Sequence, residues 1–184
     1  MKRHTHPSYG MLGMSMFLVG VLLTQVAIAI EVGEEAPDFT LPSTTGEQIS
    51  LSQFKGRKHV LIQFYSMDFN PVCAANLTTR MVDHGKFDAL HVQLLAISAN
   101  NPFSQQMFAV SLHLPFPLVS DHPDLKVIQH YGVLQHLGEA HVPVARGAVF
   151  LVDKHGVLRG KWIRPPGDVF PNDELLEAAH AILE

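Results

Sequence analysis

Cysteine is the scarcest chemistry-bearing residue in this chain: Cys73 stands alone among 184 residues. One thiol cannot close a disulfide within the chain, so no cystine framework holds the fold together. A lone cysteine also rules out the Cys-x-x-Cys and Cys-x-x-x-Cys pairs that thiol-disulfide exchange and cysteine-based copper delivery require. Charge is sparse too, at 16% of residues, and leans acidic, with 13 basic against 17 acidic side chains. No basic cluster offsets that balance, which excludes nucleic-acid binding. Twelve histidines are present. Yet His113, His122, His130, His136 and His141 follow no tight ligand spacing, and neither a second cysteine nor an acidic cluster joins them, so no metal site is expected. Internal repeats and low-complexity tracts are absent. The 47% of hydrophobic residues suffices for the core of one ordinary domain.

The N-terminus reads as a separate unit. Lys2 and Arg3 precede an apolar stretch centred on Met14 to Leu23, followed by Ala27-Ile28-Ala29. A positive start, a short apolar core and an Ala-x-Ala motif are the parts of a secretory signal peptide, with cleavage expected after Ala29. The competing reading is an uncleaved membrane anchor, since about 20 weakly polar residues can just span a bilayer. Either way the chain is expected to be exported, as a periplasmic or extracellular protein or one anchored facing the periplasm. The remaining domain, 30–184, would hold 11 basic and 17 acidic residues, a net charge of −6.

Along that domain, Val32 to Thr40 is an extended entry, Ser43 to Glu47 a turn and Gln48 to Leu51 a short strand. His59 to Tyr65 is continuously apolar enough to be a central strand buried on both faces. A helix follows it, then a second apolar run from Val92 to Ser98, which predicts a βαβ unit with parallel strands. Asn100-Asn101-Pro102 opens another helix, in which Phe103, Met107, Phe108, Val110 and Leu112 are expected to pack into the core. Pro115 to Ser120 predicts a strand and Asp121 to Tyr131 a helix closed by Gly132. Ala148 to Val152 and Val157 to Ile163 form a hairpin turning at Asp153 to Gly156. After the break at Pro165-Pro166-Gly167, a last helix spans Asn172 to Leu183. These elements make an α/β fold of thioredoxin-like outline, a central mixed sheet with helices on both faces.

Cys73 lies where the first of these helices begins, in the stretch FYSMDFNPVCAAN from Phe64 to Asn76. A strand running into a helix places the sulfur in the first helical turn. There the unpaired N–H groups and the positive end of the helix dipole favour a thiolate. A lone buried cysteine is more often an inert small hydrophobe, but these flanks point to a reactive thiol.

Four segments, in order, resemble the peroxiredoxins of the alkyl hydroperoxide reductase and thiol-specific antioxidant group, most closely their bacterioferritin-comigratory branch. They are APDFTLPSTTGEQISLSQFKGRKHVLIQFY, MDFNPVC, ISANNPFSQQMFAVSLHLPFPLVSD and RGAVFLVDKHGVLR. The resemblance implies a thioredoxin-like fold, makes Cys73 the peroxidatic cysteine, and puts its arginine partner at Arg146. A fixed guanidinium near sulfur favours the thiolate, and its N–H fork can hold a peroxide oxygen as the O–O bond breaks. Substrate contacts are implied at Ser66, Val72 and Arg146.

The family block before the cysteine reads Pro-x-x-x-Thr-x-x-Cys, and two of its positions differ here. Asn70 replaces the threonine, offering an amide that can donate and accept but with a different reach. Ser66 replaces the proline that shields the thiolate from water. Asn76 stands where a glutamate is common, and Thr78 where the branch often carries a resolving cysteine. The implied reaction is therefore of one-cysteine type. Cys73 attacks a hydroperoxide and becomes a sulfenic acid, which an external thiol or thioredoxin-like reductant must reduce. No cofactor is called for, and pairing into a homodimer is compatible with the resemblance. The alternative is a thioredoxin-fold binding or scaffold protein weakened in catalysis by Ser66 and Asn70.

Overall fold

The computed structural model describes residues 30–183; the segment read as a signal peptide or anchor lies outside them. Among the described residues no helix is long and apolar enough to cross a membrane.

Two strands, β1 (Thr40–Pro42) and β2 (Gln48–Ser50), form an antiparallel pair, followed by a 3₁₀ turn over Leu51–Phe54. The central strand β3 (His59–Phe64) leads into α1 (Pro71–Val82) and the short α2 (His84–Ala89), and the chain returns as β4 (Val92–Ser98). Then come α3 (Pro102–Leu112), β5 (Leu118–Ser120), α4 (Lys126–His130) and a hairpin of β6 (Leu134–Leu137) with β7 (Val142–Ala145). The chain finishes with β8 (Ala148–Val152), β9 (Leu158–Ile163) and α5 (Asn172–Ala181).

The main sheet runs in the order β5-β4-β3-β8-β9. Strands β3, β4 and β5 are parallel, whereas β8 pairs antiparallel with β3 and with β9. This is the mixed sheet expected from a βαβ unit followed by a hairpin. Every residue of β3 and β8 is buried, because both sheet faces are covered. Helices α1, α2, α3 and α5 send Leu77, Phe87, Phe108 and Leu175 to one face. On the other, Ile128 of α4, Tyr131 and the N-terminal Phe39 and Ile49 pack on Ile62, Phe64 and Phe150.

Three expectations are corrected. The helix read from Asp121 to Tyr131 begins only at Lys126, since Leu125 takes a left-handed φ of 55° that helical geometry does not allow. The segment before β8 carries the β6–β7 hairpin, which the sequence did not signal. The apolar residues of α3 do not share one buried face. Phe108 is 1% exposed, but Phe103, Met107 and Val110 are 86%, 62% and 57% exposed. Their spacing explains the division: 103, 107 and 110 follow i, i+4, i+7 on one face, while 105, 108 and 112 follow i, i+3, i+7 on the opposite one.

Candidate active site

The sheet delivers the chain to the site at the carboxyl end of β3. Tyr65 and Ser66 leave the sheet, and the turn into α1 is made by Phe69, Asn70 and Pro71. Phe69 adopts a left-handed φ of 58°, and its exposed ring rests on Phe108 with centroids 5.0 Å apart. Pro71 holds the first helical position, where its missing N–H has no helical partner to lose. Asp68 ties this loop to α3: it accepts hydrogen bonds from the Tyr65 hydroxyl at 2.8 Å and from the Ser104 hydroxyl.

Cys73 occupies the third position of α1 and is 7% exposed. Its Sγ lies 3.3 Å from Ser66 Oγ, a hydrogen bond across the strand-to-helix turn. The sulfur is thus covered without a proline at position 66, and the side chain standing there is a polar partner of the thiol. Asn70 Oδ1 accepts from the N–H of Val72 at 3.0 Å and of Cys73 at 3.2 Å. Two expectations change with that cap. The N–H groups of this first turn are not all free to act on the sulfur. Asn70 keeps only its amide nitrogen for a substrate, because its oxygen already holds the helix.

Arg146 sits between β7 and β8, its N–H donating to Val133 O at 2.7 Å. Its exposed side chain lines the same cavity as Cys73, and it forms no salt bridge among the described residues. The structure therefore brings Ser66, Asn70, Val72, Cys73 and Arg146 to one cavity of about 200 Å³. Thr78, two turns into α1, uses its hydroxyl within its own helix, donating to Ala74 O at 2.9 Å.

Other walls of the cavity come from segments that local sequence does not mark. Gln135 and Leu137 arrive on β6, and the 164–168 segment on the connection from β9 to α5. Asn76 pins that connection down: its Nδ2 donates to Asp168 O at 3.1 Å, and its Oδ1 accepts from Phe170 N–H at 2.9 Å. Arg164 is held by Glu174 and lies over the Phe170 ring at 5.6 Å, giving the cavity a second guanidinium. Gln63 also reaches the cavity, from inside β3. A polar side chain between Ile62 and Phe64 in a buried strand is the one signal the sequence carries for these further walls. No cluster of three or more metal-ligating side chains occurs among the described residues.

Comparison with known proteins supplies the family. Residues 32–161 match the model of the AhpC/TSA family. The chain is 35% identical over 138 residues to a peroxiredoxin, bcp, of Coxiella burnetii, covering 73% of this chain and 89% of that one. It is 32% identical over 142 residues to alkyl hydroperoxide reductase E of Mycobacterium bovis, covering 76% and 90%. Among solved structures, a cysteine-to-serine mutant of peroxiredoxin 6 of Arenicola marina superposes with a TM-score of 0.78 at 20% identity, over 84% of this chain and 74% of that one. The fold is thioredoxin-like, and the chain belongs to the AhpC/TSA family, the peroxiredoxins, which are thiol-dependent peroxidases.

Proposed function

We propose that this peroxiredoxin works by a one-cysteine mechanism, reducing hydrogen peroxide or organic hydroperoxides through a sulfenic acid on Cys73. The observation that carries the reading is the placement of the only thiol: Cys73 shares one cavity with Arg146 and lies 3.3 Å from the Ser66 hydroxyl. In the proposed reaction the Cys73 thiolate attacks the terminal oxygen of the hydroperoxide. An S–O bond forms as the O–O bond breaks, sulfur is oxidised to Cys–SOH, and the departing oxygen takes a proton from water to leave as water or an alcohol. Arg146 offers N–H donors and positive charge to the peroxide oxygens, and Ser66 holds the sulfur in place. With no second cysteine in the chain, a small thiol or thioredoxin-like protein must return Cys–SOH to the thiol. Export past the N-terminal segment is part of the proposal, with mass spectrometry of the exported protein expected to show loss of Met1 to Ala29.

Purified protein should consume peroxide with a small thiol as donor, and Cys73→Ser should abolish that consumption while wild type yields a sulfenate that dimedone traps. A second reading, a binding module with a dormant thiol, is favoured by one observation: Asn70 already occupies the Cys73 N–H. Wild-type consumption no faster than that of Cys73→Ser would decide for the binding module.

A further inference from the structure

A polar pair lies in the layer between β3 and α1. Gln63 is 3% exposed and Arg80 1% exposed, beside the buried Leu61, Tyr65 and Leu77. Arg80 Nε donates to Gln63 Oε1 at 3.0 Å, and its Nη2 donates to Phe170 O. Its Nη1 has no partner. Burial lowers the Arg80 guanidinium to about 10, with the Asp83 charge opposing, so it remains charged at neutral pH. A guanidinium can only donate, so the oxygen of the Gln63 amide must face Arg80. The amide nitrogen then points the other way. It has no hydrogen-bond partner among the described residues, yet it is not one of the buried polar atoms left without one, and Gln63 lines the Cys73 cavity. Its N–H groups are therefore left without a protein partner, among the described residues, on a residue that lines the cavity.

We propose that Gln63 is a catalytic hydrogen-bond donor of this site, its amide turned by Arg80 to present N–H to the peroxide oxygen that gains charge as the O–O bond breaks. The inference rests on the peroxidase reading above and adds to Arg146 a donor carried by the central strand β3. A donor held in place before the reaction stabilises developing charge without reorganising at that moment. The oxygen at the sulfur is transferred as before; Gln63 gives up no proton and only lends its N–H.

The test measures two rates on the full chain for wild type, Gln63→Leu and Gln63→Glu: reaction of Cys73 with hydrogen peroxide, and its alkylation by iodoacetamide. Alkylation uses the same sulfur but breaks no O–O bond, so the ratio of the rates isolates the peroxide step. Gln63→Glu keeps an acceptor for Arg80, which preserves the buried pair, but removes both N–H donors. The ratio is expected to fall roughly tenfold in both variants, the scale of one hydrogen bond to a charging oxygen. If Gln63→Leu does not fold, Gln63→Glu decides alone, and a ratio within about twofold of wild type there overturns the inference. A wild type no faster with peroxide than Cys73→Ser would instead bring down the peroxidase reading, and this inference with it.

Discussion

Helices α1 and α3 begin alike and end up with opposite chemistry. Each follows a strand of the sheet, each is capped by an asparagine, and each has proline at its first position. In each the asparagine side chain accepts the N–H of the third helical residue, Cys73 in one and Ser104 in the other. Ser104 turns its hydroxyl to Asp68 and becomes structural, while Cys73 faces a cavity with two arginines on its walls. The faces of the two helices are also inverted relative to simple amphipathic expectation. α1 buries Asn76 and Arg80 along with Leu77, and α3 exposes Phe103, Met107 and Val110. A helix start thus supplies a position for a nucleophile, and the surrounding cavity decides whether it is one.

The contrast can be broken at several points. Phe108→Ala empties the only fully buried aromatic position of α3 and should cost about 3–5 kcal/mol of stability by chemical denaturation. Arg80→Ala orphans Gln63 Oε1 and Phe170 O beneath α1, and a loss of about 3 kcal/mol is expected in the same assay. Removing the caps compares the helices directly. Asn70→Ala should cost about 1 kcal/mol, and Asn101→Ala, which releases a single N–H at an exposed helix start, less than that.

Asp68, which joins the two helix starts, gives a pH signature. Burial raises its carboxyl above the ordinary value, with the Ser104 and Tyr65 hydroxyls opposing. A carboxyl raised in the folded state favours folding below its unfolded value of about 3.9, and that advantage is lost as pH rises through the folded value. The destabilisation caused by Asp68→Asn should therefore be larger near pH 4 than near pH 7; equal losses at both would contradict this account. The smallest effect belongs to the exposed face of α3, where Phe103→Ala and Met107→Ala should each change stability by less than about 0.5 kcal/mol.

Much of this could be read from local sequence because the signals were themselves local. The apolar runs at 59–65 and 92–98 set two central parallel strands, Asn101-Pro102 set the start of α3, and Asp153 to Gly156 set the β8–β9 turn, where Asp153 Oδ1 accepts the His155 and Val157 N–H groups. The α3 stripe misled because composition alone does not say which side of a helix meets the sheet. The short α4 was overread because one left-handed residue, Leu125, delays its start.

For the site, the sequence by itself determined that the chain carries a single thiol and set that thiol in the first turn of a helix. Tertiary structure decided the rest, because a cavity is made by residues distant along the chain whose meeting no local pattern encodes. It brought Arg146 and Arg164 around to the cavity of Cys73, used the oxygen of Asn70 as a cap, set Ser66 against the sulfur, and held the amide oxygen of Gln63 on a buried arginine.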